Sequence, residues 1–203
     1  DEVLQKRKVT QVELVGVRPS GVVGPLPVQT ADGVAACGAD DCAVVGAPLV
    51  VSRPRFQATL TWGAAPSDLD SHFTGPLPEQ AGRFHISYGD RGAAGQAPFA
   101  TLDTDDTDSE GPKITTRFRC LPGTYRYAIH NYSGAPPIDP ATTRVRVLLP
   151  DGATQMHQPP AGESGDVWLV GDLDCQAGCD CRWTPLDRYG PADDSSYHPE
   201  GAR

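Results

Sequence analysis

No stretch of this 203-residue chain carries the roughly 18 consecutive apolar residues that a membrane helix needs, so no transmembrane segment is expected. A basic patch is missing as well. With 17 Lys and Arg against 26 Asp and Glu, the formal charge is −9, which argues against a nucleic-acid partner and suits solubility and cation binding. Long helices are not expected, because 22 Gly and 20 Pro divide the chain into short pieces. The sequence contains no G-x-S-x-G elbow, no H-E-x-x-H pair and no phosphate-cradling glycine loop, and so lacks three common catalytic signatures. Asp1-Glu2-Val3-Leu4-Gln5-Lys6-Arg7-Lys8 has no apolar centre of the signal-peptide kind and reads as a mature or trimmed end.

Cysteine is present in an even number, at Cys37, Cys42, Cys120, Cys175, Cys179 and Cys181, without paired Cys-x-x-Cys knuckles. In a loop-rich chain this pattern reads as disulfides, and hence as an oxidising compartment: secreted, periplasmic or at the cell surface. Cys37 and Cys42 flank the turn-prone Gly38-Ala39-Asp40-Asp41, so a local bridge is the simplest pairing for them. The other four allow three pairings, with Cys120 expected to tie a strand to the C-terminal cluster. Zinc is the alternative, with Cys120, Cys175, Cys179 and Cys181 as thiolate ligands.

Period-two alternation recurs along the chain and predicts half-buried strands. Phe56, Ala58, Leu60 and Trp62 share one face, as do Phe84, Ile86 and Tyr88. Between Pro112 and Cys120 the pattern sets Ile114, Thr116 and Phe118 against Thr115, Arg117 and Arg119. Tyr125, Tyr127 and Ile129 oppose Arg126, Ala128 and His130, and Val145, Val147 and Leu149 form another such set. Asp166 to Leu173 is apolar on both faces, which suggests a central strand or one covered on both sides. Val9 to Val17 and Pro48 to Ser52 read as two more strands. Turn signals at Gly75-Pro76, Gly111-Pro112, Pro122-Gly123 and Pro150-Asp151-Gly152 separate these runs. The expected fold is an all-β antiparallel sandwich over residues 54–182, preceded by extra strands or a small lobe over 1–53. An extended or disordered tail is expected over 183–203.

Asp68, Asp70 and His72 stand two residues apart and share one face if the segment is extended. A second acidic cluster contains Asp103, Asp105 and Asp106 and ends on Gly111. Carboxylates this dense repel unless a cation, hydrogen bonds or water relieve them, and calcium takes about six to eight oxygens. The two segments therefore read as a divalent-cation site, with calcium favoured. Arg117 occupies the twelfth position counted from Asp106, so the loop is not an EF-hand. Imidazole suits zinc better than calcium, so Asp68, Asp70 and His72, with His85 on a neighbouring strand, are the candidate zinc ligands.

The order of these motifs resembles a known family. Leu60-Thr61-Trp62-Gly63, Asp68-Leu69-Asp70-Ser71-His72 and Phe84-His85-Ile86-Ser87-Tyr88 come first. Leu102-Asp103-Thr104-Asp105-Asp106-Thr107 with Gly111-Pro112, then Gly123-Thr124-Tyr125 and Asn131-Tyr132-Ser133, follow. Over about residues 55–175 the chain is similar to the YfaP-like secreted bacterial proteins. That resemblance implies an exported β-rich domain without a defined reaction. Where the family pattern has Glu after Gly-Pro, this chain has Lys113, so a cation-binding or orienting role for that Glu would be lost here.

Ser71 lies between Asp70 and His72 but on the opposite strand face, so the three cannot form a local Ser-His-Asp arrangement. The reading reached is a secreted or cell-surface binding or structural module with an unknown protein or glycan ligand, more readily than an enzyme. A metal-dependent hydrolase using the Asp and His residues is the first alternative. A surface-layer or filament subunit that self-assembles through an edge strand at Val9 to Val17 is the second.

Overall fold

The computed structural model describes residues 27–30, 33–36, 54–78, 81–103 and 109–199. The chain divides into two units, Asp1–Ser52 and Arg53–Arg203. In the first unit, β1 (Pro27–Thr30) and β2 (Gly33–Ala36) form an antiparallel hairpin. Cys37, Cys42 and the strands expected at Val9 to Val17 and Pro48 to Ser52 lie outside the described residues.

The second unit is a β-sandwich. Its strands are β3 (Phe56–Thr61), β4 (Leu69–Pro76), β5 (Arg83–Ile86), β6 (Gly92–Ala93), β7 (Ala100–Leu102) and β8 (Lys113–Arg117). They continue with β9 (Gly123–Asn131), β10 (Arg144–Leu148), β11 (Thr154–His157), β12 (Val167–Cys175) and β13 (Cys181–Gly190), and one short helix, α1 (Asp194–Tyr197), closes the described chain. One sheet has the order β11-β10-β3-β8-β7-β6 and the other β13-β12-β9-β4-β5, with every pairing antiparallel.

Alternation selects the inner faces. Phe56, Ala58 and Leu60 from one sheet meet Phe73, Tyr125, Tyr127 and Ile129 from the other in a single core. Phe56 stacks on Phe73 with ring centroids 5.2 Å apart, and Phe73 stacks on Tyr125 at 5.7 Å. Each such side chain contributes about 1.5–3 kcal/mol on burial. β12 lies between β13 and β9 and, as expected, is covered on both sides: Trp168, Val170 and Leu173 enter the main core, while Val167 and Leu169 join Ala128 and Tyr197 on the outer face.

The inner face of β8 is the polar one. Leu60 pairs with Lys113, Ala58 with Thr115 and Phe56 with Arg117, and directly opposed residues share a face. Once the three apolar partners point inward, so must Lys113, Thr115 and Arg117, all of them buried. Among the described residues no carboxylate pairs with Arg117; its guanidinium lies 4.2 Å over the Tyr125 ring, and Nη2 is 3.3 Å from Cys175 Sγ. Beneath it, Cys120 pairs with Cys179 and Cys175 with Cys181 as disulfides. The four sulfurs proposed as zinc ligands are thus bonded to one another, and Cys120 does tie the strand region to the C-terminal cluster.

The segment expected as a tail from residue 183 is instead ordered structure over most of its length. Residues Cys181–Gly190 form edge strand β13, paired with β12 from Cys175↔Cys181 to Val167↔Gly190. Beyond it, α1 folds over the outer face of the five-stranded sheet, where Arg126 Nη1 donates to the His198 carbonyl at 2.9 Å and Thr74 Oγ1 donates to the Tyr197 carbonyl. Asp193 caps the helix by accepting from Ser195 N at 2.9 Å. Burial of Tyr197 against Ala128, Val167 and Leu169 supplies the apolar reason for the docking.

Candidate metal centre

The site is built on the first half of β4. Ser133 fixes its entry: Asp68 N donates to Ser133 Oγ at 2.9 Å, and that hydroxyl lies 3.1 Å from the Asp68 carbonyl. Leu69, Ser71 and Phe73 then face the core, leaving Asp70, His72 and Thr74 on the other side. β5 pairs with β4 only from Phe73 to Pro76, so it does not flank the beginning of the strand.

Lys113 approaches that opening from the opposite sheet. Its Nζ lies 2.9 Å from Asp68 Oδ1 and 2.9 Å from Asp70 Oδ1, with the Lys113 side chain wholly buried. The Trp62 ring is 5.9 Å away. The preceding Gly111 makes this approach possible. Its φ is +71°, and a Cβ there would stand 2.7 Å from the Trp62 ring. An ammonium out of water loses several kcal/mol of hydration unless it is well paired, and here two carboxylates and an indole face compensate it. The charge that relieves the Asp68–Asp70 repulsion therefore comes from within the chain.

Among the other acidic candidates, Asp103 sits just beyond β7 and accepts from Ile114 N at 3.1 Å, which places it beside the strand that carries Lys113. Asp105 and Asp106 lie outside the described residues.

Four of the chain's five histidines gather on the outer face of the five-stranded sheet. His72 and His85 have ring centroids 5.0 Å apart, with Nδ1 of His72 2.7 Å from Nε2 of His85. The His130 ring is 5.9 Å from His72, and His198 is 6.2 Å from His85. Asp70 pairs directly with His130 across β4 and β9. One ligating atom from each of Asp70, His72 and His130 lies within 4.8 Å of the other two.

Burial and neighbouring charges disfavour the protonated form of His72, His85 and His198. Burial first, then the neighbouring His85, His130 and Lys113, push the pKa of His72 down to about 3. His85 is lowered by burial and by His198, and His198 by burial and by Arg83. Tyr197 stacks on His72 with centroids 4.3 Å apart, and burial followed by the Asp70 charge raises its phenol to about 12. His72 Nε2 is buried and, among the described residues, has no hydrogen-bond partner. Ser71, on the opposite face, shares a hydrogen bond of 2.9 Å with the Tyr127 hydroxyl, away from His72.

The expected residues thus fall into two adjoining groups. Asp68 and Asp70 meet at Lys113, while Asp70, His72 and His85 belong to the histidine cluster. His130, Tyr197 and His198 were not anticipated. The only sequence signal for His130 was its parity, opposite Tyr125, Tyr127 and Ile129; its partnership with Asp70 requires the β4–β9 register.

No protein-family model and no curated protein matches the chain. Among solved structures, a homologue of the telluride resistance protein TerD from Streptomyces coelicolor A3(2) is similar, with a TM-score of 0.50 and 13% identity. The match covers 70% of this chain and 93% of that one. The likeness is one of fold. A second structure, of SAV2460, a protein of unknown function, has a TM-score of 0.44 at 12% identity, covering 65% of this chain and 87% of that one. Among the described residues, no helix is long and apolar enough to cross a membrane.

Proposed function

We propose that this chain is an exported β-sandwich, secreted, periplasmic or at the cell surface, that serves as a binding or structural module and holds its acidic end together with Lys113 in place of a divalent cation. The observation that carries this reading is the Lys113 ammonium, equidistant at 2.9 Å from Asp68 and Asp70. A lysine that links two sheets at their open end performs the stabilising task for which calcium was expected. Disulfides at Cys120–Cys179 and Cys175–Cys181 support the oxidising compartment, as does the resemblance to YfaP-like secreted proteins. A protein or glycan at the cell surface remains the class of ligand such a module would meet.

Calcium titration of metal-free protein tests the reading. A ligand that binds only the folded state raises the melting temperature with its concentration. The wild-type melting temperature should not move in millimolar calcium, whereas Lys113→Met, which leaves Asp68 and Asp70 uncompensated, should gain stability from it. A wild-type melting temperature that climbs with calcium would return the acidic loop to a calcium site. A metal-dependent hydrolase is the second reading, favoured by the juxtaposition of Asp70, His72 and His130.

A further inference from the structure

We infer that Asp70, His72 and His130 form a binding site for a borderline divalent transition-metal ion of the zinc class, with His85 as the positioning residue behind His72. This goes beyond the module reading and does not depend on it, because it concerns the outer face of the sheet, where two imidazole nitrogens join the Asp70 carboxylate.

Four observations converge. Asp70 and His130 are direct cross-strand partners on β4 and β9, and His72 follows Asp70 by two residues, so backbone register alone sets all three on one face. Their ligating atoms lie within 4.8 Å of one another, a spacing that a single ion can bridge after small side-chain adjustments. His72 Nδ1 is committed to His85 Nε2 at 2.7 Å. In the tautomer that donates from Nδ1, Nε2 carries a lone pair, and this buried atom has no hydrogen-bond partner among the described residues. A metal would satisfy it. The hydrogen bond from the far nitrogen of a ligating histidine is the arrangement that fixes ring orientation in metal sites.

Charge and ligand type narrow the ion. Two imidazoles and one carboxylate suit zinc, cobalt, nickel or copper, and are poor company for calcium or magnesium. Asp70 already accepts from Lys113, but a carboxylate offers about four lone-pair positions and can serve both partners. Tyr197 covers one side of His72, while half-buried His130 and exposed Tyr132 leave a way in.

Isothermal titration with zinc alone, on oxidised full-length protein shown to be free of thiols, tests the site. One equivalent should bind, and a hundredfold excess of calcium should not displace it. His130→Ala, at a half-buried position, should weaken binding at least tenfold without unfolding the protein. His72→Gln should do the same if it folds. His85→Ala should lose about 10- to 100-fold in affinity through its loss of His72 orientation. His85→Gln, whose amide oxygen can accept from His72 Nδ1, should recover part of that loss. His157→Ala, outside the cluster and bonded to Trp183, is the control and should bind like wild type. Cobalt substitution should give a visible absorption spectrum that His130→Ala abolishes. Absence of zinc uptake by the wild type, displacement by calcium, or uptake that survives His130→Ala would each overturn the assignment.

Discussion

Lys113 Nζ and Asp70 Oδ1, from opposite sheets of the sandwich, lie 2.9 Å apart, with the lysine side chain at 0% exposure and the aspartate at 4%. Removing one partner of so buried a pair leaves the other charge uncompensated, which costs about 3–5 kcal/mol. Lys113→Met should show a loss of this size in urea denaturation. Combining it with Asp68→Asn and Asp70→Asn removes the stranded charges and should recover much of the loss, since apolar or neutral replacements of a whole buried ion cluster are often tolerated. If the triple variant were no more stable than Lys113→Met, the electrostatic account of this contact would fail.

The histidine cluster sets a pH dependence. His72 titrates near 3 in the folded chain against an ordinary 6.5, so below 6.5 the unfolded chain takes up a proton that the folded chain refuses. Stability is therefore complete above pH 6.5 and declines as the pH falls toward 3. The slope from this one group is about 1.4 kcal/mol per pH unit, and the lowered His85 and His198 act in the same direction. Metal-free protein should unfold at visibly lower urea at pH 5.5 than at pH 7.5. His72→Gln, whatever its own cost, should flatten that difference; an unchanged slope would mean that His72 is not the buried neutral group.

Strands with an apolar face were legible because alternation alone reports a half-buried surface: β3, β5, β9, β10 and β12 all fall where Phe56, Phe84, Tyr125, Val145 and Trp168 announce them. β13 was hidden. Its Pro185, Asp187 and Arg188 look like loop residues, but an edge strand has one unpaired side and tolerates both proline and charge. The inward face of β8 was misleading for a different reason, since the buried Lys113 and Arg117 are compensated by Asp68, Asp70, Tyr125 and Cys175 from distant segments. Of the site, Asp70, His72 and His85 were visible as a pattern on paper. His130 and Tyr197 became partners through strand register and the return of the C-terminal segment, which no local spacing encodes.

The two disulfides should contribute unequally. Cys120–Cys179 spans 59 residues and restricts the unfolded chain far more than Cys175–Cys181, which spans 6. Replacing Cys120 and Cys179 together by Ser should cost about 2–4 kcal/mol, and replacing Cys175 and Cys181 less. Comparison of the two double variants by thermal melting decides the order. Equal losses would show that local packing around Arg117, and not loop closure, sets the contribution of each bridge.

Tyr197 links the C-terminal segment to the site. Its ring stacks 4.3 Å from His72 and completes the outer cluster of Ala128, Val167 and Leu169. Truncating a large buried aromatic costs about 3 kcal/mol or more, so Tyr197→Ala should lower the urea midpoint, while Tyr197→Phe, which keeps the ring, should stay close to wild type. A second readout follows from the same contact. With the ring gone, His72 is less buried, its pKa moves back toward the ordinary value, and the loss of stability between pH 7.5 and pH 5.5 becomes smaller. A Tyr197→Ala protein with both the wild-type midpoint and the wild-type pH slope would mean that α1 does not rest on the histidine face in solution.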